Sequence, residues 1–135
     1  MENTTKTCFY FMFFPPFLTT LILVPCEPKE IEIYKTESHA FSIKWKLQNR
    51  VYCGHPSNVI LYYKLMKSPG NTEEWSFIDT EYSLDHIRLS SLLPCQRYCV
   101  KLKFENTAGS SKLSNVVCDT TKRAGQYYFI FLIIT

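Results

Sequence analysis

The residues of this chain best equipped for chemistry are its six cysteines and three histidines. The cysteines are Cys8, Cys26, Cys53, Cys95, Cys99 and Cys118, and the histidines are His39, His55 and His86. A structural zinc site draws its ligands from two close pairs brought together by the fold. Cys53-Gly54-His55 and Cys95-x-x-x-Cys99 come nearest to such pairs, and neither has a matching second half. Nucleophilic catalysis needs a Ser or Cys within reach of a base, and phosphate chemistry needs a glycine-rich loop. The chain has four glycines, all in turn or tail contexts, and no Gly-x-Ser-x-Gly. Glu73-Glu74 and the Asp79/Glu81 pair fall in exposed turn contexts, where carboxylates are solvated rather than set up for acid–base work. These patterns point away from an enzyme, a metal site or a cofactor.

A nucleic-acid partner is not expected either. Fifteen Lys and Arg against twelve Asp and Glu leave a net charge of +3, spread along the chain without a basic block. Lys44 and Lys46 share one face of a predicted strand, and Lys101 and Lys103 one face of another. Lysines in such places hydrate a strand and protect it from aggregation.

The cysteines therefore read as cross-links, which places the chain in an oxidising compartment. The N-terminus agrees. Met1–Thr7 is polar, and Cys8–Val24 is an apolar run broken by Pro15-Pro16, the pattern of a secretory leader rather than a span. Val24 and Cys26 suit the small-residue positions before a cleavage point, so residues 1–26 are expected to be removed, with retention as an anchor the alternative. The Asn3-Thr4-Thr5 glycosylation sequon would go with them. At the other end, Lys122–Gln126 is a polar break before Tyr127–Ile134. That apolar tail would reach only about 12 Å as a helix, against a hydrocarbon core of roughly 30 Å. The domain is expected over 27–121, with 122–135 as break and tail.

Period-two alternation marks the elements in between. Ile31 and Ile33 sit in a first strand over Pro28–Lys35. Phe41, Ile43, Trp45 and Leu47 alternate with Ser42, Lys44 and Lys46 in a second. Gln48–Ser57 reads as a loop, and Val59–Leu65 as a nearly continuous apolar strand whose facing periodicity does not settle. Lys67–Glu74 is a turn around Pro69-Gly70. Trp75–Asp79 and Leu84–Leu92 give two shorter strands. Tyr98, Val100, Leu102 and Phe104 alternate with Cys99, Lys101, Lys103 and Glu105. After the turn-forming run Asn106–Ser111, a last strand runs from about Leu113 to Thr120. Short strands at close intervals, with no helical period, form the all-β sandwich pattern. Cys99 and Cys118 fall at the same end of the final hairpin, which permits a bond between them, with Cys95–Cys118 the local competitor. Cys53 and Cys95 lie at opposite ends of the sandwich, roughly 20–25 Å apart, too far for a bond that needs Cα atoms within about 7 Å.

Leu92-x-Pro94-x-x-x-Tyr98-x-Val100-x-Leu102-x-Phe104-x-Asn106-x-x-Gly109 resembles the E–F corner, F strand and F–G loop of a fibronectin type III domain. The resemblance covers roughly Lys29–Thr121. It implies a seven-stranded immunoglobulin-like sandwich, flanked here by apolar N- and C-terminal segments. It also makes Tyr98 the corner tyrosine, Trp45 the core tryptophan, and Leu92, Val100 and Leu102 core residues. Within that group, Tyr98-Cys99-Val100-Lys101 and Val117-Cys118-Asp119-Thr120-Thr121 are similar to the membrane-proximal domain of class II helical cytokine receptors, the interferon and interleukin-ten group. That narrower resemblance implies a Cys99–Cys118 bond. It leaves Cys53 and Cys95 without partners unless Cys26 is retained, since Cys26 would sit at the same end as Cys53.

The function implied is non-covalent recognition. The resemblance points to a protein ligand of the helical-cytokine kind, bound through Arg50, Val51, Tyr52 and His55 of the B–C loop and Asn106, Thr107 and Lys112 of the F–G loop, with a co-receptor chain as a further partner. Location is expected to be secreted or at the outer face of the plasma membrane. These 135 residues hold one such domain where receptors of the family usually have two, with a full span and a cytoplasmic tail, so a fragment or soluble form of a longer receptor is expected. Ser111-Lys112-Leu113-Ser114 lacks the tryptophans of the class I receptor motif. The competing reading is a fibronectin type III module of a cell-adhesion or phosphatase-type receptor with no cytokine ligand.

Overall fold

A computed structural model of the chain describes residues 21–66, 74–83 and 85–125. The apolar run before Leu21, the Asn3 sequon, most of the Lys67–Glu74 turn, Leu84 and the Tyr127–Ile134 tail lie outside the described residues.

Eight strand segments make two antiparallel sheets: β1 (Lys29–Thr36), β2 (Phe41–Lys46), β3 (Asn58–Leu65), β4 (Ser76–Glu81), β5 (His86–Leu89), β6 (Arg97–Asn106), β7 (Gly109–Ser110) and β8 (Val117–Thr120). One sheet runs β1-β2-β5; the other runs β4-β3-β6, with β7 and β8 both on the free edge of β6. The two apolar faces meet as a sandwich. Phe41, Ile43 and Trp45 project inward from β2, and Val59, Leu61, Val100, Leu102 and Phe104 from β3 and β6, all almost fully buried. Phe104 lies edge-on to Trp45 at 5.9 Å and to Tyr82 at 5.6 Å between ring centroids.

The apolar run in β3 has no polar alternation for a physical reason. Val59, Ile60 and Leu61 are all buried. Ile60 points away from the core but is flanked by Asp79 of β4 and Lys103 of β6. Neighbouring side-chain stems can cover an apolar residue on a sheet's outer face.

The expected strand from Leu113 begins only at Val117, because two serines interrupt it. The backbone N–H of Phe104 donates to Ser111 Oγ at 2.9 Å, and that of Leu102 to Ser114 Oγ at 3.0 Å. The serine N–H groups return to the Phe104 and Leu102 carbonyls, each at 2.8 Å. Hydroxyls thus stand where strand carbonyls would be, and the β6 edge stays satisfied while the chain stands off it by a side-chain length. The seventh strand of the expected sandwich is therefore present as two pieces.

At the opposite side of β6, Leu92 and Tyr98 are buried. The Leu93 N–H donates to the Tyr98 hydroxyl at 2.9 Å, the corner contact. Cys99 and Cys118 are directly opposed across β6 and β8 and bonded, with Cα atoms 4.0 Å apart. A second bond joins Cys26 to Cys53. Cys95 is free and exposed.

Candidate binding surface at the loop end

Three segments converge at the end of the sandwich where β6 finishes: residues 21–28, the β2–β3 loop, and the tight β6–β7 turn. The first is held by main-chain contacts as well as by its disulfide. Pro25 and Gly54 form a short parallel bridge, and the Gly54 N–H donates to the Val24 carbonyl at 3.0 Å. A Cβ on Gly54 would fall 1.6 Å from the Leu23 carbonyl oxygen, so only glycine lets the segment approach this closely. Gln48 adds a bond from Nε2 to the Glu27 carbonyl at 2.9 Å.

Asn106 ties the three segments together. Its Nδ2 donates to the Leu23 carbonyl at 2.6 Å and to the His55 carbonyl at 3.2 Å. Its Oδ1 accepts from the N–H groups of Ala108 and Gly109 at 2.9 and 3.3 Å, shaping the turn. Gly109 takes a φ of 148°, where a side chain would be strained. All the polar capacity of Asn106 is thus turned inward. His55 is engaged as well: its Nδ1 lies 3.0 Å from the Pro56 carbonyl, and its ring meets Tyr82 edge-on at 5.9 Å. Of the expected ligand set, Asn106 thus ties the loops together, while His55 remains exposed at the same end.

The others face outward. Val51 is 99% and Tyr52 61% exposed, an unusual setting for apolar and aromatic side chains in a loop held by a disulfide. Arg50 donates to the Tyr52 hydroxyl at 2.8 Å, which orients both groups. Thr107 is exposed on the turn. Tyr52 and Lys112 line an open groove of about 440 Å³ together with Val24, Pro25, Cys26 and Ser111. Glu27 lines the same groove. Its hydrogen bond to Lys29, at 2.6 Å, and the charges of Lys29 and then Lys112 hold its carboxyl below the usual range, so it is ionised at neutral pH. Leu21, Ile22, Leu23 and Val24 continue the groove's apolar character with side chains 38–70% exposed.

The structure therefore brings Arg50, Val51, Tyr52, His55, Thr107 and Lys112 to one accessible end. It adds Val24–Glu27, which the loop assignment alone did not include; the only sign of them in the sequence was Cys26, placed where it could reach Cys53. Among the described residues no group of three or more His, Cys, Asp or Glu could hold a metal ion, and no helix is long and apolar enough to cross a membrane. Among their buried side-chain polar atoms, the Trp45 indole N–H lacks a hydrogen-bond partner.

No protein-family model matches this chain, and no curated protein does. Solved structures do. The third fibronectin III domain of human KIAA0343 protein is 19% identical, with a TM-score of 0.64, covering 79% of this chain and 88% of that one. A structure described as a myokine is 16% identical with a TM-score of 0.59, covering 73% and 99%. The FN1–FN3 domains of chicken CNTN1 are 22% identical with a TM-score of 0.60, covering 73% of this chain and 33% of that one. At these identities the likeness concerns the fold, which is that of a fibronectin type III sandwich.

Proposed function

We propose that the chain is an extracellular binding module, a cytokine-receptor-like fibronectin type III domain that recognises a helical protein ligand through its loop end. The observation that carries this reading is the exposed Arg50-Val51-Tyr52 tip beside the Lys112 groove, on loops clamped from beneath by Asn106 and the Cys26–Cys53 bond. Tyr and Arg are the residue types that most often anchor protein interfaces, and a loop ordered in advance loses less entropy on binding. Two disulfides support a secreted or cell-surface location. The Cys99–Cys118 bond supports the narrower receptor resemblance over the adhesion or phosphatase-receptor alternative.

The domain on this reading begins before Glu27. A cut after Cys26 would remove one half of a disulfide and the Leu23 and Val24 carbonyls that Asn106 and Gly54 bind. Leader removal is accordingly expected upstream of Leu23.

Binding of the secreted protein to a panel of helical cytokines, measured by surface plasmon resonance, tests the ligand. A Val51→Ala/Tyr52→Ala variant should weaken a bound cytokine at least about tenfold, with thermal unfolding unchanged. If no cytokine binds but the chain associates with adhesion ectodomains, the alternative stands instead.

A further inference from the structure

The basic residues on the outer faces of the two sheets differ in whether a carboxylate meets them, although Lys44 also lies 5.5 Å from the Tyr34 ring centroid. On β1-β2-β5 they are neutralised: Lys46 meets Glu30 at 2.6 Å, Lys44 meets Glu32 at 3.5 Å, and Arg88 meets Glu37 at 3.1 Å. On β4-β3-β6 they stand over aromatic rings. Lys101 Nζ lies 4.2 Å from the Trp75 ring centroid and 6.0 Å from that of Tyr62. Lys64 lies 4.8 Å from Trp75, and Lys103 5.9 Å from Tyr62. None of these three pairs with a carboxylate among the described residues. Strand register builds the arrangement, since Tyr62 sits between Phe77 and Lys101 in one cross-strand row. Glu74 precedes Trp75 in the chain. Asp79, Glu81 and Glu105 share this face from the Lys103 row onward, where Asn58 holds Asp79 and Ser110 holds Glu105, which leaves Lys64 and Lys101 at the end away from them.

A ring face attracts an ammonium group but carries no net charge, so the positive charge remains available. The lysine stems are half-buried along the rings, which restricts them before any ligand arrives. Phe77, 63% exposed, extends the same strip as a flat apolar surface 5.9 Å from Tyr62. The face thus offers, among the described residues, lysines without a carboxylate partner and aromatic planes in one strip at one end of a sheet.

We propose that this face binds a linear sulfated polysaccharide. Such a polymer supplies both complements at once: sulfate groups for Lys64, Lys101 and Lys103, and flat C–H faces of sugar rings for Trp75, Tyr62 and Phe77. An acidic polypeptide supplies the charge without the flat rings. The proposal rests on the extracellular location argued above but not on a cytokine ligand, because this face is separate from the loop-end residues.

Titration of the full secreted chain with a heparin oligosaccharide, followed by tryptophan fluorescence and by salt elution from immobilised heparin, tests it. Trp75 is half-buried beside the lysines and Trp45 is buried in the core, so the signal change should vanish in Trp75→Phe and persist in Trp45→Phe. Lys101→Gln/Lys103→Gln should weaken binding about tenfold or more and flatten its salt dependence. Lys44→Gln/Lys46→Gln, the same loss of charge on the other sheet, should leave binding within about twofold. Trp75→Ala should weaken it several-fold at unchanged charge. Equal effects of the two lysine variants, or undiminished binding of the desulfated oligosaccharide, would overturn the proposal. So would equally tight binding of polyglutamate or a single-stranded oligonucleotide, which would identify an acidic protein or a nucleic acid as the partner.

Discussion

Strand β6 has a clamp at each end, and the two are built differently. At its start, Tyr98 bonds Leu93, Thr121 Oγ1 donates to Leu93 and accepts from Gln96, and the Leu92 and Lys122 N–H groups donate to the His39 and Glu37 carbonyls of the β1–β2 turn. At its finish, Asn106 bonds the carbonyls of His55 and Leu23, 51 and 83 residues away. Both ends also carry a disulfide. Cys99–Cys118 joins two strands of one sheet, while Cys26–Cys53 ties a segment outside the ladders to a loop. The corner end is therefore part of the frame, and the loop end is an attachment to it. The exposed Arg50, Val51 and Tyr52 stand on that attachment, so a surface for recognition sits where the frame does not depend on it.

The largest expected effect separates the two disulfides. Cys99→Ser/Cys118→Ser should cost about 3 kcal/mol in urea unfolding, from the loop entropy of a separation of 19 residues. Loop length alone predicts a similar loss for Cys26→Ser/Cys53→Ser, whose separation is 27. Because residues 21–28 can detach while the ladders persist, the loss there should instead be about 1 kcal/mol. It should come with fast hydrogen exchange at the Gly54 amide. Equal losses would mean that the N-terminal segment belongs to the frame after all.

A smaller contrast concerns the side-chain clamps. Tyr98→Phe should cost about 1.5 kcal/mol by leaving the Leu93 N–H unpaired at the corner. Asn106→Ala should cost about 1 kcal/mol and, unlike Tyr98→Phe, should increase exchange at Gly54 and weaken ligand binding through Tyr52. If Tyr98→Phe alters the Gly54 amide as much, the two ends are coupled rather than independent.

The smallest effect is electrostatic and confined to the loop end. Glu27 has its pKa lowered on folding, so its contribution is present above the unfolded value of 4.5 and lost as pH falls through the folded value. An NMR titration should show the Glu27 carboxyl protonating below 4.5, with Lys112→Ala moving it slightly upward. A carboxyl that titrates at 4.5 would mean that Lys29 and Lys112 do not act on it in solution.

How much of this was legible before the fold was known varies with the reach of the contact. The inward faces of β2 and β6 followed from alternation, because a two-residue period is a property of the backbone itself. The corner followed from Leu92, Pro94 and Tyr98, which lie within one turn of each other. Lys101 and Lys103 read as plain solvent-facing lysines, because Trp75 and Tyr62 reach them only through cross-strand register. The contacts of Asn106 with Leu23 and of His55 with Tyr82 were not legible, since nothing nearby in the chain shows that those partners engage them. The break in the last strand depended on Ser111 and Ser114 replacing carbonyls, which residue type does not announce.

The amino-acid order by itself determined that this chain forms short alternating strands, closes them with a tyrosine corner and carries cysteines suited to an oxidising compartment. Only the tertiary structure decided which cysteine meets Cys53, which loop residues are spent on support, and which lysines find rings instead of carboxylates. The physical reason is range: strand period and turn chemistry act over a few residues, whereas pairing across sheets and ends depends on how the whole sandwich closes.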